Sequence, residues 1–512
     1  MGKYFFIFCF LLCGKLFAQV KDTKSPIACA CNEIGLKNDW AEKEEISCYR
    51  IPVKTRDNKI YLAAVKWGMA IPGSKSIGKR TVPLLYLHGG PGIATVDNLP
   101  KYLGSPVWKR LHQQHDLIFF DYRGTGYSEP FISDYSDSLN RPDNTAMDAN
   151  AMRNYELSLI KKFRERLQEK GTDLDDFSSL QNAKDAETIR KALKISTWNV
   201  YGVSHGTTVA LYYLKHFEQA VRGMILDSPF PPNTEWIDFI RPFNEGFTAL
   251  EKYIAADSIY ARHFIGLRKY FHRAVDTLTA VPVRVAAYGA KDTSTRNYTG
   301  NEFAWAIWKA MLNPKYIPLV PIVIKEAAGN NRNLVKAFAA FFNNPNQFGK
   351  YSALQSRTIL CYEGKPKTAA DKDEAIVKLY PAFASFSNPG ADEVFCTACR
   401  TDTASAAYFA SVTSKKPVLL LSGQFDPVCP PLFAGWAAAA LPNATQIIVP
   451  GGSHAAIHID KCMEELVAAY LDDPLNKIDA ACVRKRENIK FVLEEPAEAM
   501  KAMKETMLPA KN

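Results

Sequence analysis

The stretch TWNVYGVSHGTTVALYYLKHF, residues 197–217, holds the pattern from which the rest of this chain can be interpreted. An apolar run rich in β-formers leads into the pentad GVSHG at 202–206, and apolar residues at helical spacing follow it. Between a strand and a helix, the form G-x-S-x-G predicts a sharp turn that exposes the Ser204 hydroxyl at its apex. The first amides of the helix favour negative charge beside that hydroxyl. The alternative is a glycine-rich turn that only joins strand to helix.

The start of the chain has the pattern of a signal peptide at 1–18. Lys3 precedes a short apolar run at 4–12, and Ala18 is a small residue before the expected cut. The run is too short to span a bilayer, so we expect an exported protein, periplasmic or extracellular, with no integral membrane segment after cleavage. Lipidation at Cys13 is an alternative, but the bulky Leu12 precedes it where lipoprotein signals carry a small residue.

Composition and charge narrow the class of protein further. With 512 residues, 47% of them hydrophobic, the chain can bury one large core with an insertion, or two ordinary domains. Cleavage removes Lys3 and Lys15 and lowers the net charge from +10 to +8, spread without a basic block. This pattern indicates solubility and no nucleic-acid partner. Composition and charge carry no information about the oligomeric state.

Nine of the 11 cysteines remain after cleavage, and export permits disulfides. The pairs suggested by local spacing are Cys48 with Cys29 or Cys31, Cys361 with Cys396 or Cys399, and Cys462 with Cys482. Because nine is odd, at least one thiol stays unpaired; we expect one, with Cys429 the leading candidate. A redox or zinc role for the CxxC at 396–399 is an alternative, but no strand precedes it and no second CxxC accompanies it.

Strand patterns occur on both sides of a long interruption. They cover 51–70 (two antiparallel strands around a turn at Asp57 and Asn58), 82–87, 116–120, 198–201, 221–226, 417–421 and 446–449. Between them, aromatic residues at helical spacing predict a largely helical insertion, here called the lid. We therefore expect an α/β fold with a mostly parallel sheet, its first part at 19–230, the lid at 231–404 and the second part at 405–512. Beyond Arg484 we expect a solvated helix.

Two loops that follow predicted strands carry unusual residues. HGGPG at 88–92 provides a backbone that can approach a ligand closely, where an α/β sheet places oxyanion donors; a tight connecting turn is the alternative. After the next strand, we expect Asp121 and Arg123 to form a buried ion pair that braces the loops rather than to act in catalysis.

Ser204, Asp426 and His454 each stand just beyond the C-terminal end of a predicted parallel strand. In an open α/β sheet those ends converge on one crevice, and the order serine, acid, histidine is that of an α/β-hydrolase. A serine hydroxyl needs a histidine to take its proton and a carboxylate to orient that histidine. Asp227, which also follows a strand, is the alternative acid, and His454 is favoured over His458, a helical turn later.

The motifs HGGPG (88–92), DYRGTGYS (121–128), GVSHG (202–206), SGQFDPVCP (422–430) and GGSH (451–454) resemble those of the proline iminopeptidase and tripeptidyl aminopeptidase family of α/β-hydrolases. The resemblance covers about 45–230 and 405–485. It implies a serine exopeptidase with Ser204, Asp426 and His454 as the triad and the backbone amides of Gly90 and His205 as the oxyanion hole. Cys462 and Cys482 also resemble a cysteine pair of secreted members.

The chain departs from the family pattern at three positions. His205 stands where an aromatic residue is usual, Ile93 where a further glycine is common, and Ser453 where a glycine precedes the histidine. None of these changes removes a catalytic group. They bear on the shape of the pocket and therefore on peptide preference.

The resemblance, together with the serine, acid and histidine pattern, implies an enzyme that cleaves short peptides or amino-acid amides from the N-terminus through an acyl-enzyme, without a metal or other cofactor. A carboxylesterase with the same triad is one alternative, since a serine on a sharp strand-to-helix turn and an oxyanion hole do not distinguish ester from amide substrates. A binding protein that has lost catalysis is another. A site for a free α-amino group needs carboxylates nearby. Glu363, Glu235 and Glu245 are the lid acids best placed by sequence.

Overall fold

The computed structural model describes residues 26–55, 58–68, 82–132, 134–139, 149–234, 240–286, 295–342, 350–364, 393–400, 402–486 and 488–493. Within these ranges, no helix is both long and apolar enough to cross a membrane. The signal peptide predicted at 1–18 lies outside them.

A large sheet, nine-stranded in the described part of the chain, forms the centre of the molecule in the order β1-β2-β3-β5-β4-β6-β7-β10-β11. Its strands are β1 (Ile27–Ala28), β2 (Ile46–Lys54), β3 (Lys59–Trp67), β4 (Leu84–Leu87), β5 (Leu117–Phe120), β6 (Trp198–Val203), β7 (Val221–Asp227), β10 (Val418–Gly423) and β11 (Ala444–Val449). From β5 to β11 neighbouring strands are parallel, whereas β1, β2 and β3 pair antiparallel. The strands predicted from apolar runs are all present.

Helices cover both faces of this sheet and build the lid. They are α1 (Asn38–Lys43), α2 (Leu99–Gly104), α3 (Pro106–His112), α4 (Asp134–Leu139), α5 (Ala149–Gln168), α6 (Ser179–Ala192), α7 (His205–Phe217), α8 (Ile240–Ala255), α9 (Ser258–Phe264), α10 (Leu267–Ala280), α11 (Gly300–Met311), α12 (Val320–Ala328), α13 (Arg332–Phe342), α14 (Ala353–Glu363), α15 (Glu393–Cys399), α16 (Pro431–Ala438), α17 (Lys461–Asp472) and α18 (Ala481–Arg484).

The central strands are buried on both sides because different helices pack on each face. Trp108 of α3 and Met463 of α17 share one apolar cluster with alternate strand residues such as Tyr201. Val209 of α7 and Ala183 of α6 share the other cluster with residues of opposite parity such as Val200. This two-faced burial explains why the strands read as continuous apolar runs.

The first part of the segment between β7 and β10, from α8 to α13, has an apolar core to which Phe243, Phe271 and Phe303 contribute. Its helices are joined by a short antiparallel pair, β8 (Val283–Ala286) with β9 (Thr295–Tyr298), which the sequence pattern did not predict. The segment rests on the loop after β10, since a Cβ added at Gly246 of α8 would lie 2.9 Å from the carbonyl oxygen of Phe425.

The prediction of a solvated helix beyond Arg484 is wrong for residues 488–493, which are neither helical nor solvated throughout. Phe491 is buried against Tyr253, Tyr260 and Phe264 of the lid. The backbone amide of Val492 donates to the carbonyl of Pro318 at 3.1 Å. Apolar side chains spaced among charged ones let this extended segment pack on the lid. Residues 494–512 lie outside the described ranges.

Three disulfides resolve the pairings that the sequence left open. They join Cys31 to Cys48, Cys361 to Cys396, and Cys462 to Cys482. Cys29, Cys399 and Cys429 are free. The expectation of a single free thiol is therefore wrong, because Cys29 and Cys399 each lie near a bridge whose partners are already joined to each other.

Candidate active site

The turn between β6 and α7, here called the elbow (residues 202–206), holds Ser204 in a strained conformation. Ser204 has φ 55° and ψ −127°, a left-handed φ that is rare for a residue with a side chain. A Cβ at Gly206 would lie 2.1 Å from the carbonyl oxygen of Leu87, and one at Gly202 would lie 2.5 Å from that of Gly206. The two glycines are thus required by close backbone contacts, and the turn presents the serine at the start of α7.

Asp426 and His454 meet at the carboxyl ends of β10 and β11. His454 Nδ1 lies 2.8 Å from Asp426 Oδ2, while the amides of Val428 and Cys429 both donate to Asp426 Oδ1 at 2.8 Å. Burial opposes the charged carboxylate, but His454 and the two amides together lower the pKa of Asp426 below its ordinary value. Burial likewise opposes the imidazolium, but Asp426 raises the pKa of His454 above its ordinary value.

Asp227, the alternative acid, is committed to other groups. Its Oδ2 accepts from the Tyr201 hydroxyl at 2.8 Å and from the Ile457 amide at 3.0 Å, and its Oδ1 accepts from the Ala456 amide at 2.8 Å. Burial raises its pKa to about 6. Asp227 therefore holds the backbone that follows His454, and the acid bonded to the imidazole ring is Asp426.

A glycine-rich loop at residues 88–94, here called the oxyanion loop, lies beside the elbow. A Cβ at Gly89 would lie 3.1 Å from Ser204 Cβ, and Gly90 has φ 128°, a value suited to glycine. The hydroxyls of Tyr86 and Tyr102 contact the two ring nitrogens of His88, whose pKa burial lowers to about 3. The backbone of Gly90 is thus held close to the serine.

The expected ion pair between Asp121 and Arg123 is wrong. Arg123 pairs with Asp185 of α6, through contacts of 2.7 and 2.8 Å, and both side chains are buried. Asp121 instead accepts from the amides of Thr95, Val96 and Tyr127 at 2.7–2.8 Å. Asp121 follows β5 and lies next to Thr95 and Val96, which come directly after the oxyanion loop. It therefore stabilises that loop by accepting hydrogen bonds from backbone amides.

Comparison with known proteins agrees with this geometry. The sequence pattern that describes the alpha/beta hydrolase fold matches residues 82–460. The chain belongs to the α/β-hydrolase family, and it is a serine hydrolase.

Named relatives of this hydrolase include peptidases. It is 26% identical over 419 residues to the serine protease Hip1 of Mycobacterium tuberculosis, covering 77% of this chain and 79% of that protein. It is 27% identical over 204 residues to the tripeptidyl aminopeptidase of Streptomyces lividans, covering 39% and 38%. A proline iminopeptidase of Neisseria gonorrhoeae is 25% identical over 160 residues, 31% of this chain and 36% of that protein. The resemblance stated from the motifs is confirmed.

Cys429 occupies a place in this hydrolase that the sequence did not indicate. It is fully buried; burial and the charge of Asp426 raise the pKa of its thiol, and the neighbouring Ser204 side chain opposes that rise. Its Sγ, a carboxylate oxygen of Asp426 and a ring nitrogen of His454 all lie within 4.8 Å of one another. The thiol therefore lies beside the Asp426–His454 pair and near the elbow serine. Its position three residues after Asp426 was the available signal.

The lid acids lie in three different situations. Glu363 is buried and accepts from the Ser179 amide at 2.6 Å and from the hydroxyls of Ser179 and Tyr408 at 2.8 Å. Since protein donors occupy both of its oxygens, the expectation that it binds a substrate amine does not fit. Glu245 is exposed on α8, next to the glycine that contacts the loop of Asp426. Glu235 lies outside the described residues.

Proposed function

We propose that this hydrolase is an exported serine exopeptidase that releases N-terminal residues or short peptides from peptides or amino-acid amides. The observation that carries the proposal is the 2.8 Å contact between His454 Nδ1 and Asp426 Oδ2, together with a serine held at φ 55° in the turn after β6. The relatives named as a serine protease and as aminopeptidases support peptide substrates. The three disulfides are compatible with export.

Acylation begins when Ser204 Oγ attacks the scissile carbonyl carbon and its proton passes to His454 Nε2. Asp426 keeps the other ring proton on Nδ1 and stabilises the imidazolium that forms. The carbonyl oxygen becomes an oxyanion, to which the amides of Gly90 and His205 donate. The tetrahedral intermediate collapses as the C–N bond breaks, and His454 gives its Nε2 proton to the leaving amine.

Deacylation repeats these steps with water. His454 takes a proton from the water molecule as its oxygen attacks the acyl carbon of the ester on Ser204. The same two amides hold the second oxyanion, and the proton returns to Ser204 Oγ when the acid product leaves.

An exopeptidase must also recognise the free α-amino group. We assign this role to an acid of the lid, with Glu245 the described candidate, because α8 lies directly on the loop that carries Asp426. Glu235, ten residues earlier in the sequence, is the other candidate. A carboxylate there pairs with the ammonium group of the substrate and sets the distance from the N-terminus to the cleaved bond.

A fluorophosphonate probe tests the catalytic part of this proposal, since it reacts with an activated serine whatever the natural substrate. We expect labelling at Ser204 and none in Ser204→Ala, whose turnover should fall by about 10⁴-fold or more. A panel of alanine and proline anilides beside simple acyl esters then tests the substrate class. Fast ester turnover without anilide cleavage would replace the exopeptidase by a carboxylesterase.

A further inference from the structure

A chain of four buried polar side chains lies beneath the elbow and has no part in the mechanism above. His205 Nε2 lies 2.8 Å from Ser179 Oγ, Ser179 Oγ lies 2.8 Å from Glu363 Oε2, and the Tyr408 hydroxyl lies 2.8 Å from Glu363 Oε1. His205, Ser179 and Glu363 are at most 3% exposed. His205 is the residue directly after Ser204, so this chain ends at the first residue of α7.

The positions of the protons follow from the number of donors. Glu363 Oε1 accepts from the Ser179 amide and from the Tyr408 hydroxyl, so Oε2 is left for the Ser179 hydroxyl. Burial raises the pKa of Glu363, whereas its three hydrogen bonds favour the carboxylate. With Glu363 ionised, the Ser179 hydroxyl gives its one proton to the carboxylate and accepts from His205 Nε2. Burial, reinforced by His88, lowers the pKa of His205 to about 3, and the ring is neutral. The chain therefore fixes His205 as the tautomer protonated on Nε2.

Helix α14 connects these four hydrogen-bonded side chains to the oxyanion loop. Glu363 is its last residue, and Ser352, directly before its first, donates its amide to the carbonyl of Gly92 at 2.8 Å. A Cβ at Gly92 would lie 2.7 Å from the carbonyl oxygen of Ser352 and 3.0 Å from Ser356 Cβ. One end of α14 thus packs on the loop that carries Gly90, while the other end holds the side chain of His205.

We propose that Glu363 is a positioning residue for the oxyanion hole: through Ser179 it holds the imidazole of His205, and so aims the His205 amide at the carbonyl oxygen of the substrate. The inference rests on the proposed acyl transfer at Ser204. A phenylalanine ring at position 205 would be held by packing alone. This protein has a histidine there, and a hydrogen bond to Ser179 of α6, itself held by Glu363 of the lid, keeps the ring in place.

Glu363→Gln provides a sharp test because it should reverse the direction of the hydrogen bonds from residue 363 through Ser179 to His205. The two donors at Oε1 require the amide oxygen there, which puts the NH₂ group against Ser179 Oγ. The Ser179 hydroxyl must then donate to His205 Nε2, and the imidazole proton moves to Nδ1. Ring ¹⁵N chemical shifts, assigned by comparison with His205→Gln, report this change of tautomer directly.

The functional readout is the rate of fluorophosphonate labelling at Ser204, because the phosphonyl oxygen occupies the oxyanion hole. Complete loss of one donor costs about 10²–10³-fold in rate, so a misaimed donor should slow labelling by about 10–100-fold. We expect this loss in Glu363→Gln and in Ser179→Ala, with KM for a peptide amide changed less than about threefold. Glu165→Gln, a matched change of an exposed acid on α5, should label at the wild-type rate.

The outcomes separate the two proposals. Failure of the wild type to label at Ser204 would overturn the proposed function. Normal labelling of the wild type, Glu363→Gln and Ser179→Ala alike would overturn only the positioning role. Slow labelling of Glu363→Gln with the tautomer of His205 unchanged would also overturn it. If Glu363→Gln unfolds below the assay temperature, Ser179→Ala decides, since it removes the link while the Ser179 amide still donates to Glu363.

Discussion

His454 Nδ1 contacts Asp426 Oδ2 at 2.8 Å, whereas Asp227, equally buried, accepts hydrogen bonds from Tyr201, Ala456 and Ile457. The two acids stand at the carboxyl ends of neighbouring parallel strands, β10 and β7. One therefore orients the imidazole ring, and the other holds the backbone that carries it.

Substitution of the two acids should separate these roles. Asp426→Asn should lower kcat by about 10⁴-fold, because an amide at this position no longer favours the proton on His454 Nδ1. Asp227→Asn should lose stability more than rate, since it disturbs backbone contacts. Rates and thermal melts of both variants check this, and the reverse pattern would give the role of the catalytic acid to Asp227.

The pH profile should reflect the raised pKa of His454. Only the neutral imidazole can take the Ser204 proton, so kcat/KM should rise with pH through the pKa of His454. We expect the midpoint above the ordinary value of 6.5, because the contribution of Asp426 exceeds the effect of burial. An NMR titration of His454 in Asp426→Asn should give a lower pKa than in the wild type. A midpoint at or below 6.5 in the wild-type rate profile would contradict this account.

The contact between α8 and the loop of Asp426 leaves no room for a side chain at Gly246. A Cβ there would lie 2.9 Å from the carbonyl oxygen of Phe425 and 3.0 Å from that of Asp426. Gly246→Ala should therefore displace Asp426 and lower kcat/KM by about 10–100-fold. Gly435→Ala is a matched control, since no atom lies within 4 Å of its Cβ. Wild-type kinetics of Gly246→Ala would mean that the lid does not rest on this loop.

The cysteine pattern can be checked by peptide mapping without reduction. Alkylation after denaturation should modify Cys29, Cys399 and Cys429 and leave three disulfide-linked peptide pairs. Replacing Cys361 and Cys396 with alanine opens a loop of 35 residues and should cost about 4 kcal/mol of unfolding free energy on the chain-entropy model. Alkylated Cys462 would contradict the pairing.

The positions of the candidate site residues were predictable from the sequence where they depend only on the ends of the strands. Ser204, Asp426 and His454 each follow a parallel strand, and the sheet alone carries the ends of such strands to one crevice. The partners of Arg123 and Glu363, in contrast, are determined by contacts between helices and loops that are distant in sequence. Their partners Asp185 and Ser179 lie 62 and 184 residues away, and both belong to α6.

The same limit applies to the cysteines. Cys29 and Cys31 are two residues apart, and spacing alone could not show which of them reaches Cys48. Cys429 looked like an isolated thiol in the sequence, and only the fold of the loop after β10 brings it next to Asp426 and His454. Periodicity reports which face of an element is buried, and it carries no information about the partner across that face.

Recognition of the substrate amine gives the last prediction. An unblocked alanine or proline anilide should be cleaved at least about 100-fold better than its N-acetyl form, since acetylation removes the charge that a lid carboxylate would pair with. Glu245→Gln should shrink that ratio mainly by slowing the free-amine substrate, because the acetylated one has no charge to lose. Glu165→Gln, which neutralises an exposed acid on α5, should leave the ratio unchanged. If Glu245→Gln also leaves it unchanged, the same measurement on Glu235→Gln follows. Equal rates on free and blocked anilides in the wild type would exclude selection of the amine altogether.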